Sequence, residues 1–385
     1  MNKQAFLEAL NEKTASLPEQ DKARLLEYFA EMIDDRIEDG VSEEEAVAAM
    51  GDPADIAREF STDATASAPQ AAAEAVTALR QLRIRVLNAD VNIVREPLSG
   101  GAAAQLRFSD PGRFEWRADG ETLEITEKDV TSPLKLGFSF NSLKRLLTSD
   151  GLRLTVALSE GLPGDLEFHS AGGDLTIRAV ALGGAARLHS ANGDFDIRQV
   201  RCAGRLEINT QSGDLELNGL TAEAFSFKAA NGDIEAASLS VDGQLCLETT
   251  SGDVELRALR CGELSVSCAS GDVEVDRGAA GDTTVHTVSG DVRLDELESD
   301  PRLAVQTVSG DIDLTRCIAR QAQLHSVSGD VTLRLEPLPC GYDIVANTRS
   351  GDIDLPRNNP EPADRDAQPR VEISTVSGDI DAAML

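Results

Sequence analysis

Basic residues are scarce in this chain: 36 Lys and Arg stand against 67 Asp and Glu in 385 residues, for a formal net charge of −31. With no basic stripe to release counterions, nucleic acid is not a partner that this surface suits. Aromatic residues make up only 4%, and one Trp and two Tyr leave few platforms on which sugars or bases would stack. No run of about 18 apolar residues is present to span a bilayer. Met1-Asn2-Lys3-Gln4 leads into a charged segment rather than the apolar core of a signal peptide. These absences predict a cytoplasmic protein with no direct membrane span, peripheral to a membrane only through a partner. Six cysteines without a CxxC pair or a Cys/His ligand spacing argue against a disulfide scaffold and against zinc. No cofactor or metal is expected.

What the chain does have is a repeat. Ser-Gly-Asp, or a close variant, followed by Val, Ile, Leu or, once, Phe recurs eleven times, with the Asp at 174, 194, 214, 233, 253, 272, 291, 311, 330, 352 and 379. Most intervals are 19 or 20 residues; the last two are 22 and 27. A fixed period of that length reports one supersecondary unit that buries its apolar face only by stacking on its neighbours. Counting each Asp as position zero, columns −8, −6, +1 and +3 are apolar, as in Leu206, Ile208, Leu215 and Leu217 around Asp214. Their period of two marks strands with one face buried. The Gly before each Asp supplies a tight turn, and the Asp carboxylate is expected to bond back to turn amides. The fold class predicted is mainly β: a single-stranded parallel β-helix, or β-solenoid, of about 19–20 residues per coil, preceded by a small all-α N-terminal domain. Right-handed winding follows from the usual hand of parallel crossovers. At a spacing of about 4.8 Å, eleven coils make a rod roughly 50 Å long.

Other columns carry polar groups. Position −4 holds Ser or Thr in phase with the core, Ser190 and Thr287 among them, and reads as an inward hydroxyl ladder in which Cys268 is a substitute. Cys202 and Cys261 share position +8 three coils apart, too far to bridge. Position +2 stacks Glu216, Glu235, Glu255 and Glu274 beside the turn residues Asp214, Asp233, Asp253 and Asp272. This acidic face is the candidate interaction surface, partly neutralised by Arg178, Arg198, Arg257 and Arg334 at +4. These carboxylates read as a solvated face, with calcium between coils as the alternative. The four histidines, His169, His189, His286 and His325, all fall at outward position −5, and a pair without a third ligand makes a weak metal site. No acid/base constellation stands out, so no enzymatic activity is expected.

The first 60 residues are different. Phe6, Leu7 and Leu10, then Leu25, Leu26, Phe29, Ile33 and Ile37, recur at helical spacing. Ser42 with Glu45 forms a capping box. Residues 1–60 are read as a helical domain, 61–78 as an Ala/Ser/Pro linker, and 79–385 as the solenoid, regular from about 164. Leu26, Phe29 and Ile33 are the candidate partner-docking helix. Between Pro133 and Leu147, Leu136, Phe138 and Phe140 lie beside Lys135, Lys144 and Arg145, a pattern read as a lid over an open coil end, with membrane-surface or partner docking as the alternative. The last coil, Val371 to Ala383, is expected to be bare and to favour end-to-end self-association.

Two resemblances rest on these residues. The opening, through Leu17-Pro18-Glu19, Asp39-Gly40, Ser42-Glu43-Glu44-Glu45 and Met50-Gly51-Asp52-Pro53, resembles the HAAS-type helical signalling domain. The Ser-Gly-Asp repeats resemble the bacterial putative-adhesin β-strand-repeat family, a domain of unknown function. The resemblance implies a place in cell-envelope stress sensing or signalling, since HAAS domains often accompany membrane segments and PadR-type regulators. The reading is a non-catalytic scaffold or adaptor whose helices dock a membrane or regulatory protein. The alternatives are an adhesin-like sensor binding a cation, a cationic peptide or a cell-wall polymer along the acidic rod, and, third, a polysaccharide-active enzyme.

Overall fold

The computed structural model describes residues 2–14, 22, 26, 29–30, 33, 42–48, 50, 53, 73–128, 151–357, 359 and 368–385. The chain divides into two compact units, one made of residues 1–71 with 129–152 and the other of 72–128 with 153–385. Each is taken by itself.

Alternating apolar residues cannot bury themselves within one coil, so identical columns stack, and the second unit is a β-solenoid built that way. Leu206, Phe225, Leu245 and Leu264 lie in register from coil to coil, as do Leu215, Ile234, Val254 and Val273. All eight are buried. The coil has three sides where the sequence announced two and a return. Position +6 (Val200, Leu220, Leu239, Leu259) and position +8 (Cys202, Ala222, Val241, Cys261) also stack inward as a third strand segment. Three corners separate the sides. One is the Ser-Gly-Asp turn. The second is position +5, where Ala179, Gln199, Ser238, Ala258, Arg277, Glu296 and Arg316 all have φ between 53° and 58°, and only Gly219 is a glycine. The third is a register shift at the return, as between Cys202 and Arg205.

Both ends depart from sequence order. At the first end, Gln81–Arg85 and Asp90–Arg95 form a coil that stacks on Leu166–Ser170 and Leu175–Arg178. Outside it lies a later piece of chain, Thr122–Glu127 with Arg153–Leu158. That outer coil is covered by antiparallel strands, Phe114–Asp119 on one side and Ala104–Phe108 on the other. Ala73–Val76, assigned to the linker by composition, is a strand, because Ala104–Phe108 offers it an antiparallel edge. Glu127 is buried and accepts the amides of Leu87, Asn88 and Ala89 at 2.7, 3.0 and 3.2 Å and the Arg113 guanidinium at 3.0 Å. It closes a turn that lacks the signature.

At the other end, Arg370–Ser377 and Ile380–Met384 pair directly with Ile318–Ser328 and Val331–Leu335. The earlier segment, Asp343–Ser350 with Ile353–Asp354, stacks outside them. The bare coil is therefore Asp343–Asp354, not Val371–Ala383. Val371, Ile373, Ile380 and Ala382 are buried between two neighbours. Repeat spacing counts coils but says nothing about which one each stacks upon, which is why the sequence reading misplaced the end.

In the first unit, helix Lys3–Lys13 is capped by the Asn2 side chain accepting the Ala5 amide at 2.9 Å, and helix Glu43–Ala48 begins with the expected Ser42–Glu45 box. Phe6, Leu10, Phe29, Ile33, Ala46, Val47 and Met50 make its core, with the Phe6 and Phe29 rings 5.6 Å apart. The span from 133 to 147 lies outside the described residues, as do 61–72 of the linker.

Candidate functional site

The signature Asp residues form one continuous ladder. The amide of Asp233 donates to the Asp214 carboxylate at 2.9 Å, Asp253 to Asp233 at 2.9 Å, Asp272 to Asp253 at 2.8 Å and Asp291 to Asp272 at 2.8 Å. The run begins at Asp90, which accepts from Asp174 at 3.3 Å, and ends where Asp352 donates to Asp379 at 2.8 Å. The carboxylate thus binds the next coil rather than its own turn, as the sequence reading had it. Stacking explains the exchange: like positions lie one strand spacing apart, so the nearest amide belongs to a neighbour. A Cβ on Gly252 would sit 2.1 Å from the Gly232 carbonyl oxygen, so this corner requires glycine.

Beside the ladder the hydroxyls of Thr287, Thr307 and Ser326 donate to the carbonyls of Gly271, Gly290 and Gly310 in the preceding coil, at 3.4, 3.3 and 3.2 Å. The Cys268 thiol fills the same place, donating to the Gly252 carbonyl at 3.3 Å. The position −4 column is therefore the inward ladder anticipated for it. Burial pushes the thiols of Cys261 and Cys317 up to about 12, and all six cysteines are free. Such thiols are poor nucleophiles at neutral pH.

Outward, Glu216, Glu235, Glu255 and Glu274 stand in register on four successive coils. Arg198 bridges Asp196 and Glu216 at 2.7 Å to each, and Arg257 pairs with Glu255. Arg293 follows Glu274 in register and ends the run. Among the described residues no basic side chain pairs with Glu235 or Glu274. His169 and His189 stack with ring centroids 5.9 Å apart, and burial, His189 and Arg85 hold His169 below the usual imidazole range. No cluster of three metal-ligating side chains occurs among the described residues.

Of the docking-helix candidates, Phe29 and Ile33 are core residues, 3% and 0% exposed, and are not available to a partner. Leu26 is partly buried and lines a shallow groove of about 480 Å³ with Lys3, Gln4, Leu7 and Glu8. Helical spacing alone places residues on one face without saying whether that face meets its own domain or another.

Two surfaces escaped the sequence reading. Val288, Val308, Val327 and Val376, all at position −3, form a stripe 37–42% exposed on coils that succeed one another in space. The Val three before Asp291, Asp311, Asp330 and Asp379 was the available signal. The second is a groove of about 510 Å³ over the position +5 corner, lined by Arg95, Gln199, Arg201, Gly219 and Ser238.

A model of the Toastrack DUF4097 family matches residues 79–246 and 226–382, which together span most of the chain. The chain belongs to the Toastrack DUF4097 family. A HAAS model matches residues 5–59, ahead of the Toastrack repeats. Among solved structures, a putative lipid binding protein from Parabacteroides distasonis is 13% identical, with 65% of this chain and 98% of that one covered at a TM-score of 0.40. A putative cell adhesion protein from Clostridium sporogenes is 12% identical, with 82% and 100% covered at a TM-score of 0.17. No curated protein matches. Toastrack and HAAS modules together fit a binding or adaptor protein, and no helix among the described residues is long and apolar enough to cross a membrane.

Proposed function

We propose that this chain is a non-catalytic adaptor in cell-envelope stress sensing or signalling, in which the HAAS domain docks a membrane or regulatory protein and the Toastrack solenoid presents a long acidic surface. The observation that carries the reading is the use of the repeat's polar groups. Asp carboxylates hold the next coil's amides, hydroxyls hold the preceding coil's carbonyls, and buried thiols stay protonated. What faces outward is a repetitive surface, suited to contact over length. Among the described residues, the groove at Leu7 and Leu26 is an apolar, accessible part of the helical unit. A cross-linked pull-down from native cells, comparing the wild-type chain with Leu26→Asp, tests this. Loss of one membrane or regulatory protein in the variant supports the docking role, and identical recovery by both sinks it.

Glu235 and Glu274, unpaired among the described residues, favour a second reading, in which a cationic ligand lies along the solenoid. Binding would then weaken steeply with ionic strength, while docking at Leu26 would not. Retention of a captured ligand in high salt removes this alternative.

A further inference from the structure

The outermost coil at the far end is unfinished. Among the described residues, strand Asp343–Ser350 pairs only with Arg370–Ser377, and its inward residues Ile344, Ala346 and Thr348 are only half-buried. Ile353 and Leu355 occupy positions +1 and +3, buried in regular coils, yet are 42% and 36% exposed. The strand is nevertheless held in place at its start. Tyr342 is buried, its amide donates to Asn359 Oδ1 at 2.9 Å, and Asn359 donates back to the Tyr342 carbonyl at 2.7 Å.

We propose that this edge is the surface on which a second copy of the chain docks, two-fold and antiparallel, through the self-complementary strand Asp343-Ile344-Val345-Ala346-Asn347-Thr348-Arg349. Three observations meet here. The Asp343 amide bonds the Pro369 carbonyl at 2.9 Å. Alternation along a parallel ladder then turns the N–H and C=O groups of Ile344, Ala346 and Thr348 to the free edge. In an antiparallel pairing centred on Ala346, these are the residues whose backbone groups bond across, Ala346 to Ala346 and Ile344 to Thr348. The same register sets exposed Asp343 of one copy opposite exposed Arg349 of the other, twice, in the closely spaced non-hydrogen-bonded positions. A symmetric contact of this kind closes after two copies. This inference goes beyond the proposed adaptor role and does not depend on it.

Charge reversal tests it on the full chain. Asp343→Arg sets Arg against Arg and Arg349→Asp sets Asp against Asp, so each variant alone should dimerise at least about tenfold more weakly in sedimentation equilibrium. An equimolar mixture of the two variants pairs every Arg with an Asp, and should recover the dimer. Hydrogen exchange should show Ile344, Ala346 and Thr348 amides protected in wild type at high concentration and released in either single variant. Both positions face outward, and Asp343 lies 3.9 Å from Arg370 of the neighbouring strand, so circular dichroism is used to show that Asp343→Arg keeps the fold and recovery in the mixture separates docking from that contact. A wild-type monomer at every accessible concentration overturns the proposal. So does a mixture no more dimeric than its components, or growth into filaments in place of a closed dimer.

Discussion

At the first end of the solenoid a buried carboxylate, Glu127, collects three amides from a turn without a signature, and antiparallel strands cover the coil outside it. At the other end the Asp352 carboxylate meets no donor among the described residues, and the strand beside it keeps an open edge. In the middle every coil gives and receives the same Asp-to-amide bond. A repeat solves the interior of a rod by itself; its ends need solutions from outside the repeat. One end has a dedicated residue, and the other is left available.

That contrast is open to attack by mutation. The largest effect is expected mid-rod, from Gly252→Ala, where the new Cβ meets a carbonyl oxygen at 2.1 Å. It should cost about 3 kcal/mol or more, seen as a two-step urea transition with loss of amide protection on both sides of the Asp253 coil. Glu127→Ala leaves the amides of Leu87, Asn88 and Ala89, the last of them buried, without their acceptor and should cost about 3 kcal/mol, with exchange rising first in Gln81–Arg95. Unchanged exchange there would mean that the turn stands without Glu127.

Smaller substitutions sharpen the comparison. Asp253→Ala removes the acceptor for the Asp272 amide and should cost about 1 kcal/mol, whereas Asp352→Ala, with no described donor to lose, should cost nothing measurable. Equal losses at both sites would show that the carboxylates act through charge rather than through the ladder. At the second corner Gly219→Ala places its Cβ 3.5 Å from Gln199 Cα, an ordinary contact, and should cost about 1 kcal/mol for the left-handed backbone alone. The smallest effect is a pH dependence. Burial works against ionisation of Asp196, but hydrogen bonds from Arg178 and Arg198 outweigh it and hold the carboxyl below its usual range. Its contribution is present above the ordinary Asp value and is lost as pH falls through the lowered one. Arg198→Met should therefore narrow the stability difference between neutral and acid solution, by thermal melts at several pH values.

Much of the interior was legible because apolar periodicity and glycine spacing reflect steric demands that each coil faces alone. The acidic column was legible for the same reason: Glu216, Glu235, Glu255 and Glu274 stack as their offsets from the Asp require. The position +5 corner was not. A left-handed backbone ordinarily announces itself by Gly or Asn, and here Ala179, Gln199, Ser238 and Arg277 adopt it because stacked neighbours impose it. The order of the end coils was equally hidden, since Thr348-Arg349-Ser350-Gly351-Asp352 and Thr375-Val376-Ser377-Gly378-Asp379 carry the same signature and either fits on the coil before. In the docking helix, Phe29 and Ile33 proved to be core because so small a unit draws on its large apolar side chains to hold itself together.

The transposed end also bears on time. As the chain leaves the ribosome, Asp343–Asp354 emerges before Arg370–Met384, and the coil it meets is the Asp330 coil, whose carboxylate in the finished molecule receives the Asp379 amide. The seat is first offered to the wrong guest. Only when Arg370–Met384 is present is the rightful occupant in hand, so the far end cannot take its final order coil by coil along the chain.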